Sequence, residues 1–370
     1  MPGLSDLLEE ANRQLTICNA CRYCEGYCAV FPAVERRSVL REGDLALLAN
    51  LCHDCRACYQ ACMYAPPHEF GVNVPAVLSE ARLESYRRYA WPGPMAGLIT
   101  HPGWAAAGSS LLVAALALLA IALRDGLGGM VTRQTGPGAF YRVIEYEAMV
   151  AAGLGLAAAA LVLLLGAFRR LWRDVGGTGR ELLVPSLWAP AVLDAVALRY
   201  LRGGGGGCYY PDAERPSPAR RVHHHLLVLG FGLAFAATVA AAIEQDVLGS
   251  LPPYPLLSPP VLLGVAGGLG LMAGAGGLLL MKRRETAAAA CLTGRGARRL
   301  DVAFLVLVEV VASTGMLLLV LRGTGAMGTL LVAHLGAVAG LFLTAPYGKF
   351  VHALHRFVAL LHDRAESAAL

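Results

Sequence analysis

Eight cysteines near the N-terminus stand at spacings that suit iron–sulfur chemistry: Cys18, Cys21, Cys24 and Cys28 in one run, and Cys52, Cys55, Cys58 and Cys62 in a second. Each run reads Cys-x-x-Cys-Arg-x-Cys-x-x-x-Cys and carries a proline four residues after its last thiol, Pro32 or Pro66, so the two form an internal repeat. A cubane cluster takes four thiolates. Three cysteines at successive threes wrap one cluster in a tight loop, and in two-cluster ferredoxins the fourth thiol ligates the other cluster. The spacing therefore assigns Cys18, Cys21, Cys24 and Cys62 to one [4Fe–4S] cluster and Cys52, Cys55, Cys58 and Cys28 to a second. Zinc fits poorly, because it usually takes separated Cys-x-x-Cys knuckles. Ala29 and Met63 stand where a proline usually follows the fourth cysteine. Arg22 and Arg56 share one slot of the repeat, where a cation would favour the reduced, more negative cluster and raise its potential.

A second set of residues suits haem. Ionisable groups at membrane depth are functional candidates by default, and His334 and His352 lie eighteen residues apart. That separation is about 27 Å of helix, nearly a membrane thickness, so one helix would offer a ligand to each of two stacked haems. His223, His224 and His225 open an earlier apolar run on the side where His352 lies, which predicts bis-histidine ligation of one b-type haem. His334 has no evident partner, since Ala240 to Gln245 holds no histidine, so a second haem is only an option. His53, His68 and His362 read as ordinary histidines, the last solvated in the tail, and His101, at the start of the first span, as a weaker haem candidate. Cys208 and Cys291 read as non-ligands, and Gly203 to Gly207 as a flexible link.

These residues must be positioned by a mostly α-helical chain of two units: an N-terminal, α-helical two-cluster ferredoxin-like domain over residues 1–95, then a six-helix transmembrane bundle over 96–370. The chain has 370 residues and 56% apolar content, and a mean hydropathy of +0.54. That is too apolar for an ordinary soluble domain. Crossing the hydrocarbon core takes about 20 mostly apolar residues, and six stretches approach this: 104–123, 146–168, 226–243, 261–281, 302–321 and 329–346. Seven glycines in the fourth stretch permit close helix approach. In the soluble unit a helix opens the chain with Ser5 as its N-cap, another spans Arg41 to Leu51 between the cysteine runs, and a polar one runs from about Val77 to Tyr89. Leu182 to Leu201, interrupted by two prolines, reads as a segment lying along the membrane face. Trp91 and Trp104 flank the first span as interfacial aromatics.

Arginines crowd residues 169–225 and 282–299 and are sparse in the opposite loops. The positive-inside rule then places both termini and the cysteine domain in the cytoplasm, in an inner (cytoplasmic) membrane. The polar N-terminus, which lacks an apolar signal core, agrees. The net charge of +5 is thereby a topology signal, not a nucleic-acid one, and a reducing cytoplasm favours metal ligation over disulfides.

Beyond the cysteine repeat, the blocks YAPPHEFGVNVP (64–75), SYRRYAWP (85–92), LRYLRGGGGGCYYP (198–211), RRVHHH, YPLLSPPVLLG (254–264) and PYGKFVHALHRF (346–357) resemble the tricarballylate utilisation protein B family nearly end to end. The same module resembles the membrane half of a fused cobalamin-synthesis flavoprotein, and the histidine spacing is similar to that in the gamma subunit of respiratory nitrate reductase. The resemblance implies two [4Fe–4S] clusters and b-type haem, and a partner FAD-dependent dehydrogenase whose reduced flavin is reoxidised. The expected role is an oxidoreductase subunit carrying electrons to membrane quinone. No catalytic triad or dinucleotide fingerprint is evident, so substrate chemistry belongs to the partner. A haem-free redox-sensing transporter is the rival from another class; it requires acidic pairs in the spans, where only Glu145, Glu147 and Glu309 appear.

Overall fold

The computed structural model describes residues 3–210, 215–285 and 294–369. Cys291 lies outside them. Among the described residues the fold is helical with no strand, apart from one isolated bridge between Cys208 and Ser217.

The N-terminal unit is built from α1 (Leu4–Cys21), α2 (Val30–Glu35), α3 (Glu42–Leu51), the single turn α4 (Ala57–Gln60) and α5 (Val74–Tyr89). The N-cap of α1 is Gly3, not Ser5: the Asp6 carboxylate accepts the Gly3 N–H at 3.0 Å, a contact that satisfies an otherwise orphaned donor. The helix runs on through Cys18 and Cys21, so its last turn already carries two cysteines of the first run. Asn73 caps α5 by accepting from the Ala76 N–H at 3.2 Å, with Pro75 in the first turn, where no N–H is missed.

Six apolar runs are long enough to cross a membrane, and the chain is a multi-pass membrane protein. The first five spans are α6 (Pro102–Arg124), α8 (Tyr146–Asp174), α10 (Ala219–Asp246), α11 (Pro259–Arg283) and α12 (Arg295–Leu321). A short turn, α7 (Gly128–Val131), and an amphipathic helix, α9 (Pro185–Val196), lie between them. The glycines of α11 work as expected: a Cβ on Gly267 would lie 2.7 Å from the Ala234 nitrogen and one on Gly274 2.5 Å from that of Leu227. The α10 and α11 backbones therefore touch, as small residues permit.

The sixth run departs from the single long helix expected of it. Helix α13 (Met327–Thr344) stops, the chain turns through Ala345–Tyr347, and a separate α14 (Val351–Ala368) begins. Pro346 supplies no N–H and pushes its predecessor out of helical geometry, and Gly348 is extended at φ −117°. His334 and His352 consequently sit on different helices, which removes the 27 Å two-ligand rod. Helix α14 returns to the N-terminal unit. Leu360 and Leu361 are buried in one core with Leu15, Leu48, Leu78 and Trp172, while Arg36 and Arg37 pair with Asp363 and Glu366. His362, expected to be solvated, is buried edge-on to Trp172.

One side of α9 packs on α14 through the fully buried Ala191. Its other side leaves Val192, Leu193 and Val196 exposed, the division of an interfacial helix. The cysteine unit rests on the arginine-rich end of the bundle, where Arg56 reaches Glu285 at 2.5 Å and Arg220 reaches the Asp54 carbonyl at 2.6 Å.

Candidate metal centres

The repeat in the sequence is a repeat in the backbone. Arg22 and Arg56 both adopt the left-handed conformation, at φ 56° and 64°, which is uncommon for a residue with a Cβ and reverses each cysteine loop at the same point. Cys62 of the second run is brought to Cys18, Cys21 and Cys24 of the first, around an apolar cleft that Cys58 also lines. Burial and the crowding of Cys62, Cys24 and Cys21 push the Cys18 thiol up to about 12. Burial, with Cys62 and Cys21, pushes Cys24 up to about 11. Cys28 of the first run belongs with the other group: burial first, then Cys55 and Cys52, hold its thiol well above the ordinary range. Among the described residues no three cysteine, histidine or acidic side chains converge tightly enough to hold a single metal ion. Four of the thiols, from both runs, share one cleft with Cys58, and four thiolates are what a cubane cluster takes.

The two groups differ in their surroundings. Cys21 is exposed, and Arg22 with it; Tyr23, Met63 and Phe70 around the first group are large apolar side chains left open. Cys52 and Cys55 are buried, and Arg56 is 0% exposed. The second loop is held from several sides. Arg82 donates to the carbonyls of Ala49 and Cys52 at 2.7 Å each, Arg356 to the Cys52 carbonyl at 3.0 Å, and the Tyr209 N–H to that of Cys55 at 2.9 Å. The glycine run, expected to be a flexible link, is a tight turn on this loop. Gly203, Gly204, Gly205 and Gly207 have positive φ. A Cβ on Gly203 would lie 2.9 Å from that of Ala57 and 3.6 Å from the Cys55 sulfur. Cys208 is buried beside it and accepts from Arg220 at 3.6 Å.

Of the histidine triplet, the structure singles out His224. Its ring faces that of His352 at a centroid distance of 6.2 Å and an interplanar angle of 83°. Two imidazoles that each reach one metal through a ring nitrogen at about 2.0–2.1 Å have centroids roughly 6 Å apart, so His224 and His352 could hold a haem iron, which would supply one-electron chemistry there. The Nδ1 of His352 lies 2.6 Å from the Lys349 carbonyl, a contact that fixes the ring and leaves Nε2 for a metal. Phe231, Phe304 and Phe350 cluster alongside, an aromatic wall suited to a flat apolar group. His223 fits against Gly277 and contacts the Ala273 carbonyl at 3.2 Å, and His225 contacts that of Val196 at 3.1 Å. His334 meets Thr314 at 3.1 Å and no second histidine.

Residues 103–370 match the family described as citrate utilization protein B, and residues 11–88 match its Fer4-like domain. A relative from Escherichia coli, citrate utilization protein B, is 40% identical over 354 residues, covering 95% of this chain and 90% of its own length. The chain belongs to the citrate utilization protein B family. No solved structure matches it. The family likeness drawn from the sequence blocks is borne out, and the Fer4-like domain makes this citrate utilization protein B relative an iron–sulfur membrane protein. Three features of the site escaped sequence reasoning: the buried arginines 82, 220 and 356, the structured glycine turn, and the return of α14. The signal was present for two of the arginines, since Arg220 stands four residues before His224 and Arg356 four residues after His352.

Proposed function

We propose that this protein is the membrane electron-transfer subunit for a cytoplasmic FAD-dependent dehydrogenase. The exposed face around Cys21 receives the partner, which oxidises its tricarboxylate substrate, tricarballylate or a close analogue. Cys18, Cys21, Cys24 and Cys62 hold one [4Fe–4S] cluster near that face, and Cys52, Cys55, Cys58 and Cys28 hold a second in the interior. His224 and His352 hold b-type haem beyond it, and membrane quinone is the final acceptor. Clusters and haem supply one-electron steps that split the two electrons of a flavin hydroquinone. The protein's own residues set spacing, exclude water from the second group, and leave only the first group open to a partner. Positive-inside distribution supports an inner-membrane chain with both termini in the cytoplasm.

The observation that carries this reading is the His224–His352 pair at 6.2 Å, adjoining the buried second cysteine loop. The test is a dithionite-reduced minus oxidised optical spectrum of the purified full chain. The b-type bands should be present, disappear in His224→Ala and His352→Ala, and persist in His223→Ala and His225→Ala. A wild-type chain with full iron content and no such bands overturns the haem assignment.

A further inference from the structure

Arg220 and Arg356 come from two different membrane-proximal helices and end on the same loop. Arg220, in the first turn of α10, donates to the Asp54 carbonyl at 2.6 Å. Arg356, in α14, donates to the Cys52 carbonyl at 3.0 Å. On each helix the histidine that faces its counterpart lies four residues from the arginine, about 6 Å along the axis. Both helices thus carry an arginine on the cysteine loop and, one turn away, a member of the His224–His352 pair.

The charge around this loop is unbalanced. Arg56, Arg82, Arg220 and Arg356 surround it; among the described residues Asp54 and Glu285 approach Arg56 at 3.9 Å and 2.5 Å, and Asp54 also acts on Arg82 and Arg220. Among the described residues Arg82, Arg220 and Arg356 form no ion pair; they donate to main-chain carbonyls and to the Cys208 sulfur. Around the first loop Arg22, which shares the repeat slot of Arg56, is exposed and donates to the Asn19 carbonyl at 3.2 Å. Desolvated positive charge stabilises the more negative, reduced state of a nearby centre far more than solvated charge does.

We propose that Arg220 and Arg356 are positioning residues of the electron path, whose buried charge beside the second cysteine loop makes the cluster on that loop the higher-potential one of the two. The inference rests on the cluster assignment of the preceding section and not on the haem. Each transfer moves one electron: the cluster on Cys18, Cys21, Cys24 and Cys62 is oxidised by one and that on Cys52, Cys55, Cys58 and Cys28 is reduced by one, with no proton moved. The buried arginines around the second loop make that direction downhill.

The test is an EPR-monitored redox titration of the full-length protein in detergent, with the second cluster identified as the signal lost in Cys28→Ala. Arg220→Gln and Arg356→Gln should each lower its reduction equilibrium constant about tenfold, a shift of about 59 mV for one electron, and leave the other cluster in place. Arg220→Lys and Arg356→Lys, which keep the charge, should restore most of it. Unchanged midpoints in both Gln variants overturn the proposal, as do equal shifts of both clusters. Loss of iron from the Gln variants also overturns it, because the arginines would then be staples and not tuners. Missing haem bands in the wild type would sink the preceding reading alone, since the midpoint comparison needs no haem.

Discussion

Cys28 and Cys62 sit at the same place in their repeats, yet each lies with the other run's thiols, Cys28 near Cys52 and Cys55 and Cys62 near Cys18 and Cys24. Two crossed thiols explain why the loops form one body. Cys28→Ala should therefore erase the EPR signal of the buried second cluster and spare the first, and Cys62→Ala should do the reverse; a loss confined to each cysteine's own run would refute the crossing. The thiols also make a pH prediction. In the iron-free chain burial and mutual crowding raise Cys18 and Cys55 to about 12 and Cys24 to about 11, against an unfolded thiol near 8.5. A group with its folded pKa raised contributes stability that is complete below the unfolded value and is lost as pH climbs toward the folded one. The iron-free protein should accordingly melt at lower temperature at pH 10 than at pH 8, in a thermal scan under reducing conditions. Because ligation needs thiolate, iron uptake releases protons, and reconstitution followed by absorbance should be faster at pH 8.5 than at 6.5.

Among the elements, the glycine turn at 203–207 and the helix break at 345–348 show what periodicity carries and what it does not. Five consecutive glycines have no apolar pattern, so the sequence offers no sign of what they face; their use lies in long-range contact with Ala57, Cys55 and Tyr27. Gly203→Ala would place a Cβ in a left-handed backbone, costing about 1–2 kcal/mol, and press it on Ala57. Loss of the second cluster's iron with the first retained is the expected result, read by iron content and EPR; a fully loaded variant would show that the turn is dispensable. The six spans, by contrast, were legible as elements though their helices run up to seven residues past the expected bounds, because a run of about 20 apolar residues has few alternatives to a membrane helix. The gathering of Cys62 with the first run's thiols and of Cys28 with the second's was legible for a similar reason, since spacing along the chain constrains the loop. The break before α14 was written in Pro346 and Gly348, but the regular spacing of His334 and His352 obscured it. What told His224 from its neighbours was invisible in a row of three identical residues: the 100° step of the helix turns each toward a different partner, Ala273, His352 or Val196.

At the scale of the whole molecule, the cysteine runs and the His224–His352 pair lie at one end of the bundle, and α14 joins these pieces. That helix supplies His352 to the histidine pair, Arg356 to the second cysteine loop, and Leu360 and Leu361 to the core of the N-terminal unit. Each of those leucines, fully buried, contributes about 2 kcal/mol, and Asp363 and Glu366 satisfy Arg36 and Arg37. Ending the chain after Gly348 would leave all six apolar runs able to insert, because α13 is complete by Thr344. It would strip the N-terminal unit of one wall, so its effect should differ in kind from that of a single ligand change. His352→Ala should remove haem absorption and leave both cluster signals. The truncated chain should reach the membrane fraction in near-normal amount, yet lack haem and the second cluster and expose residues 1–95 to protease. A truncated chain that kept both EPR signals and full protease resistance would show that the N-terminal unit closes its own core, and would reduce α14 to the carrier of one histidine.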